Sequence, residues 1–180
     1  TLTIDAELNS EVYKTLEKVV NERGFSGGSA VVMDIQNGDL LAMASFPEYD
    51  NQVLAEGEPV EEIQSFLNNP NNPFLNRAVS GVYPPGSIIK PLVAIAALDE
   101  SIIDPDREIE THGSISLPNP YFPDKKSVFY DWKDHGYVDM RRALAVSSNV
   151  YFYGVGEDLG WKQLKRYSEE FVLGEKLNID

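Results

Sequence analysis

The chain has 180 residues, a length that suits one domain or a large piece of one. Its 29 acidic and 15 basic side chains leave a net charge of −14, which argues against nucleic acid or an anionic lipid surface as a partner. With 42% hydrophobic and 11% aromatic residues it can build a buried core, and with no cysteine it has no disulfide, no zinc–thiolate site and no thiol nucleophile.

The longest apolar run, Leu92 to Leu98, has seven residues, far short of the roughly 20 that cross a bilayer. No charged-then-apolar leader opens the chain. Thr1-Leu2-Thr3-Ile4 reads as mid-domain sequence, so an excised piece, with any membrane anchor outside it, is expected.

Residues 5–23 predict an amphipathic helix: Asp5 as N-cap, Glu7 in the first turn, Leu8, Val12, Leu16, Val19 and Val20 on one face, and Gly24 at the end. Residues 29–35 and 39–45 predict a β-hairpin. Asn37-Gly38 between them points to a type I′ turn. Because the strands are almost wholly apolar, a sheet covered on both faces by helices is expected. Residues 46–76, rich in Pro, Asn, Glu and Gly, read as a long irregular excursion with one helical turn near Val60–Leu67. Residues 104–138 read as a second irregular stretch, in which Phe129-Tyr130-Asp131-Trp132 packs as a loop. The last third is helical in pattern over Val138–Val146, Asn149–Leu159 and Trp161–Leu173, punctuated by Gly160 and Gly174. Gly154-Val155-Gly156 lacks the third glycine of a dinucleotide fingerprint and reads as close packing.

The chemistry concentrates at Tyr83-Pro84-Pro85-Gly86-Ser87-Ile88-Ile89-Lys90-Pro91. Two prolines and a glycine deliver the chain to a serine in the first turn of an apolar helix, where backbone N–H groups are free. Lys90, three residues on, shares a face with Ser87. A serine hydroxyl becomes a nucleophile only when a base removes its proton, and a lysine serves if burial lowers its pKa. Pro91 conflicts with this helix unless it falls in the first turn. A second element, Ser147-Ser148-Asn149, sits in a break between two helices. There Ser147 is placed to relay a proton, and Asn149 to hold a substrate carbonyl and the lysine. His135 with Asp131 and Asp134 reads as a solvated loop rather than a metal site.

Ser87-x-x-Lys90 followed by Ser147-x-Asn149 resembles the active-serine penicillin-recognising enzymes. The flanks narrow the resemblance. Residues 76–87, Ala30-Val31-Val32-Met33-Asp34 and Gly38–Ser45 look like class B penicillin-binding proteins. Asp131-Trp132-Lys133 and His135-Gly136-Tyr137-Val138-Asp139 look most like the elongation type, the penicillin-binding protein 2-like branch.

The resemblance implies an α/β, β-lactamase/transpeptidase-like fold, an antiparallel sheet covered by helices, with residues 1–180 forming part of one transpeptidase domain. It implies a D,D-transpeptidase in which Ser87 attacks the penultimate D-Ala carbonyl of a peptidoglycan stem peptide and Lys90 takes the serine proton. Ser147 returns a proton to the leaving group, Asn149 orients substrate, and the Ser87 N–H supplies half of an oxyanion hole. The implied partners are D-Ala-D-Ala stem peptides, β-lactams that acylate Ser87, and proteins of the cell-elongation machinery. The implied place is the cell envelope, on the periplasmic face of the cytoplasmic membrane. No cofactor is implied; some elongation-type relatives hold a metal near the loop of His135, but none is expected here because no thiolate ligand exists.

The third family motif, Lys-Thr/Ser-Gly on a strand, is missing: Lys14-Thr15 is followed by Leu16 and Lys126-Ser127 by Val128, and the chain stops 31 residues after Asn149. An incomplete domain lacking its C-terminal strands, with an open hairpin edge and little activity alone, is therefore expected. A serine β-lactamase and a non-catalytic binding fragment are the alternative readings.

Overall fold

A computed structural model describes residues 2–119, 121–122 and 124–176. Their contacts form two compact units, the first ending at Tyr83 and the second beginning at Pro84.

The first unit is a helix on a hairpin. Helix α1 (Ala6–Arg23) starts where Asp5 accepts the Leu8 N–H and stops where Gly24 turns left-handed at φ 69°, as its caps predict. Strands β1 (Gly28–Met33) and β2 (Leu40–Phe46) pair antiparallel, with Ala30 opposite Ala44 and Val32 beside Ala42 on one face. That face receives α1. The approach is close because Gly28 has no side chain: a Cβ there would meet Leu16 at 3.0 Å and Val20 at 3.3 Å. The outer edge of β2 is not left open, since the Asp5 N–H bonds Leu41 O and Asn9 Oδ1 accepts the Met43 N–H, both at 2.8–2.9 Å.

Three expectations fail in this unit. The hairpin is not a type I′ turn: six residues, Asp34 to Asp39, connect the strands, with Asp34 N–H bonding Asp39 O, and only Gly38 of the Asn37-Gly38 pair has positive φ. The sheet is not covered on both faces, since Val31 and Met33 are about half exposed. The excursion is not irregular throughout. Helix α2 (Asn51–Glu56) is capped by Asp50 and ended by Gly57, and α3 (Val60–Leu67) makes two turns rather than one. Both α2 and α3 are short and bury no residue.

The second unit holds the core. A 3₁₀ turn (Gly86–Ile89) runs into α4 (Lys90–Asp99), which buries Leu92, Val93, Ala94, Ala96 and Ala97. Helices α5 (Met140–Ala145) and α6 (Asn149–Glu170) follow later in the chain. Alanines on α4 let α6 pack close, with Tyr151, Phe152, Val155, Leu159 and Tyr167 filling the shared core. Gly160, at φ 75° and ψ 158°, breaks α6 at the predicted point. The Tyr167 hydroxyl bonds Asp99, and Arg166 Nη2 lies 2.6 Å from Glu100 Oε1, which ties the far end of α6 to the end of α4. Those acids hold Tyr167's phenol protonated, its pKa raised to about 12 chiefly by the hydrogen bond to Asp99.

Residues 104–138 are more ordered than their composition suggests. Strand β3 (Ile109–Thr111) pairs with β6 (Gly136–Val138), and β4 (Ser114–Pro118) pairs with β5 (Lys126–Tyr130), both antiparallel. The β4–β5 hairpin rests on α6 through Phe129, whose ring lies 5.3 Å from that of Tyr153. Strands of three to five residues beside prolines carry too short an alternation to be told from loop. Close packing does not account for Gly154 and Gly156: a Cβ on Gly154 would make an ordinary 3.7 Å contact, and one on Gly156 would meet nothing within 4 Å.

Leu159, 4% exposed, seals the α4–α6 core. Leu159→Ala is expected to lower unfolding stability by about 2–5 kcal/mol, measured by urea denaturation followed by circular dichroism.

Candidate active site

The path into the site resolves the proline conflict. The chain enters as a 3₁₀ turn, and the α-helix begins only at Lys90, so Pro91 stands in the first α-helical turn, where its missing N–H costs nothing. In a 3₁₀ turn residues three apart eclipse. Ser87 and Lys90 therefore lie one above the other, the serine exposed and the lysine 7% exposed. A surface lysine beside a capping serine is thereby excluded.

The second element comes from the far side of the core. Asp139 caps α5, and its Oδ1 accepts the Arg142 N–H at 2.6 Å. After α5 the chain reverses at Ser147, which has φ 55°, a left-handed conformation that costs a non-glycine residue on the order of 1 kcal/mol or more. Ser148 then caps α6, accepting the Tyr151 N–H at 3.3 Å. This reversal presents Ser147 and Asn149 to Lys90.

All four predicted residues meet. Lys90 Nζ lies 2.7 Å from Ser147 O, 3.0 Å from Ser147 Oγ and 2.7 Å from Asn149 Oδ1. Ser147 Oγ lies 2.9 Å from Ser87 Oγ. A continuous hydrogen-bonded line thus runs from the Ser87 hydroxyl through the Ser147 hydroxyl to the lysine nitrogen. It opens on a cavity of about 720 Å³ whose walls include Ser87, Lys90, Val93, Phe152, Tyr153 and Leu164. Burial pushes the Lys90 pKa below its ordinary value, while the negative charge of Asp131 opposes that shift. Such a lysine is suited to accept a proton, and the hydroxyl line is suited to pass one.

Asp131 and His135 are not a solvated loop. Their side chains are 0% and 6% exposed, with His135 Nε2 3.7 Å from Asp131 Oδ1. Only Asp134 remains on the surface, near His112 and Glu110. Asp131 lies under the serine turn and accepts hydrogen bonds from Ser148 Oγ at 2.8 Å, Val150 N at 3.0 Å and Trp132 N at 2.8 Å. Burial alone would raise its pKa, but the N–H groups of Val150 and Asn149, the Ser148 hydroxyl and the Trp132 N–H together bring it below the usual carboxylate value. Sequence reading missed this residue because its partners lie 17 to 19 positions away. No cluster of three or more His, Cys, Asp or Glu among the described residues is arranged to hold a metal.

A serine over a buried lysine, with a hydroxyl and an amide delivered by a second turn, is an arrangement chemically able to support acyl transfer through the serine oxygen. Residues 28–180 match the penicillin binding protein transpeptidase domain, and the chain belongs to that family. It is 34% identical over 181 aligned residues to the peptidoglycan D,D-transpeptidase MrdA of Haemophilus influenzae, an alignment covering 99% of this chain and 26% of that protein. The structure of penicillin-binding protein A from Mycobacterium tuberculosis as a penicillin G acyl-enzyme complex superposes with a TM-score of 0.82 at 26% identity, over 96% of this chain and 40% of the other. The complex between the penicillin-binding protein PBP2 and MreC from Helicobacter pylori matches with a TM-score of 0.74 at 31% identity, over 90% of this chain and 30% of the other. The chain thus spans about a quarter of the length of the curated relatives it matches.

Lys90's depressed pKa carries a sign for stability. Between its native pKa and the ordinary 10.5, the unfolded chain holds a proton that the native state has lost, so stability rises with pH across that window. The unfolding free energy of the wild type relative to Lys90→Met is expected to increase with pH and level off above it, as measured by urea titrations at a series of pH values.

Proposed function

We propose that residues 1–180 are the nucleophile-bearing part of the transpeptidase domain of a peptidoglycan D,D-transpeptidase of the elongation type. The observation that carries this reading is the line Ser87 Oγ, Ser147 Oγ, Lys90 Nζ, with steps of 2.9 and 3.0 Å. Ser87 attacks the carbonyl carbon of the penultimate D-Ala of a stem peptide. Its proton passes to Ser147 Oγ, whose own proton passes to the Lys90 nitrogen. As the tetrahedral intermediate collapses, the amine of the terminal D-Ala leaves with a proton returned along the same line, and an ester to Ser87 remains. An amine of a neighbouring stem then takes the acyl group and frees Ser87, forming the cross-link.

Each residue has a distinct task. Lys90 exchanges a proton with little penalty because burial disfavours its charged form. Asn149 fixes the lysine through Oδ1, and its amide nitrogen is assigned to the substrate carbonyl. The Ser87 N–H, at the start of the 3₁₀ turn, is offered to the oxyanion. The apolar walls of the cavity suit the methyl groups of D-Ala residues. β-Lactams, as mimics of that terminus, acylate the same oxygen, a reading supported by the penicillin G acyl-enzyme that the Mycobacterium tuberculosis relative forms. The reading places the parent protein in the cell envelope, on the periplasmic face of the cytoplasmic membrane. None of the described helices is long and apolar enough to cross that membrane. It also assigns the protein an elongation-machinery partner, after the MreC complex of the Helicobacter pylori relative.

Fluorescent penicillin tests the reading, on this chain and on a version extended to the length of the relatives. A covalent adduct is expected that Ser87→Ala abolishes and Lys90→Met slows by about 100-fold or more. Label that survives Ser87→Ala, or label on neither form, overturns it. Slow single acylation of nitrocefin separates a transpeptidase from a β-lactamase, which would turn it over.

A further inference from the structure

The turn that carries Ser147 and Asn149 is anchored in an alternating pattern. Trp132 Nε1 donates to Val146 O at 3.2 Å, Ser148 Oγ donates to Asp131 Oδ2 at 2.8 Å, and the Val150 N–H donates to the same oxygen at 3.0 Å. The two residues in between face the other way, Ser147 and Asn149 supplying all three acceptors of Lys90. Residues 146, 148 and 150 are thus tied to the Asp131-Trp132 pair and the side chains of 147 and 149 to the lysine, while the Asn149 N–H also turns to Asp131. A left-handed Ser147 persists only if its neighbours over-determine it, and this double row of bonds does so. A fully buried carboxylate makes its half of the row strong, because bonds to a charged acceptor are shorter and stronger than neutral ones.

We propose that Asp131 is a positioning residue of this site, its carboxylate holding the Ser147–Asn149 turn in register with Lys90 while facing the lysine with a fixed negative charge. The assignment rests on the acyltransfer reading for its catalytic meaning, since it acts through groups that reading uses. The titratable groups facing Asp131 are Lys90 on α4 and His135 on its own loop, while α6 presents backbone N–H groups and the Ser148 hydroxyl. Without the Asp131 charge, the burial that disfavours an ammonium at Lys90 acts unopposed.

Asp131→Asn tests this in the whole chain. It keeps the size, removes the charge and puts an amide nitrogen where an oxygen accepts donors. By NMR with isotope-labelled lysine, the Lys90 side-chain titration midpoint is expected to move to lower pH than in the wild type. The backbone amide signals of residues 147–150 are expected to shift, with those of β1 and β2 unmoved. A folded variant in which the midpoint stays, whether or not the amides move, overturns the proposal, because a merely structural role leaves Lys90's titration where it was. Should Asp131→Asn fail to fold, Ser148→Ala removes one anchor and keeps the charge. The amides of residues 147–150 should then shift, and unmoved signals overturn the positioning role. No β-lactam enters either readout, so failure here is distinct from failure of Ser87 labelling.

Discussion

A lysine taken out of water is the constraint on which the second unit turns. Lys90 is 7% exposed, and an amine or ammonium there must find partners or cost several kcal/mol. It finds three, all from one turn more than 55 residues further along the chain. The demand runs in both directions. The lysine needs those oxygens, and the left-handed Ser147 needs to be held. The same contacts that satisfy a buried polar group therefore also assemble the hydrogen-bonded line to Ser87.

Two backbone devices make that meeting possible. The 3₁₀ turn before α4 sets Ser87 directly over Lys90 and absorbs Pro91 into the helix start. The break between α5 and α6 aims two consecutive polar positions in opposite directions, one toward Lys90 and one toward Asp131. Behind them, the alanine-rich face of α4 against Tyr151, Phe152 and Val155 provides a rigid floor. A site built at the ends of packed helices holds its geometry better than one built on free loops.

Legibility in the sequence followed the range of the physics involved. Asp5 and Gly24 bounded α1, and Gly160 broke α6 where it stood, because caps and positive-φ glycines act over a few residues. Asn37-Gly38 misled for the same reason in reverse: a local turn preference lost to a six-residue connection closed by Asp34 and Asp39. The short strands β3 to β6 were invisible because pairings such as Ile109 with Val138 and Ser114 with Tyr130 join distant residues with no period of their own. The motif pairs Ser87/Lys90 and Ser147/Asn149 could be named, since residue type and spacing carry their chemistry.

What the sequence determined by itself was therefore the inventory: a serine on an apolar helix start, a lysine three residues on, a polar helix break, and no thiol to compete with them. Only the tertiary structure decided that the lysine is buried rather than solvated, that the hydrogen-bonded line from Ser87 to Lys90 runs through Ser147, and that Asp131 lies beneath the turn. The physical reason is common to all three. Burial, desolvation and hydrogen bonding between residues tens of positions apart are properties of packed surfaces, and no local pattern of residues encodes which surfaces will meet.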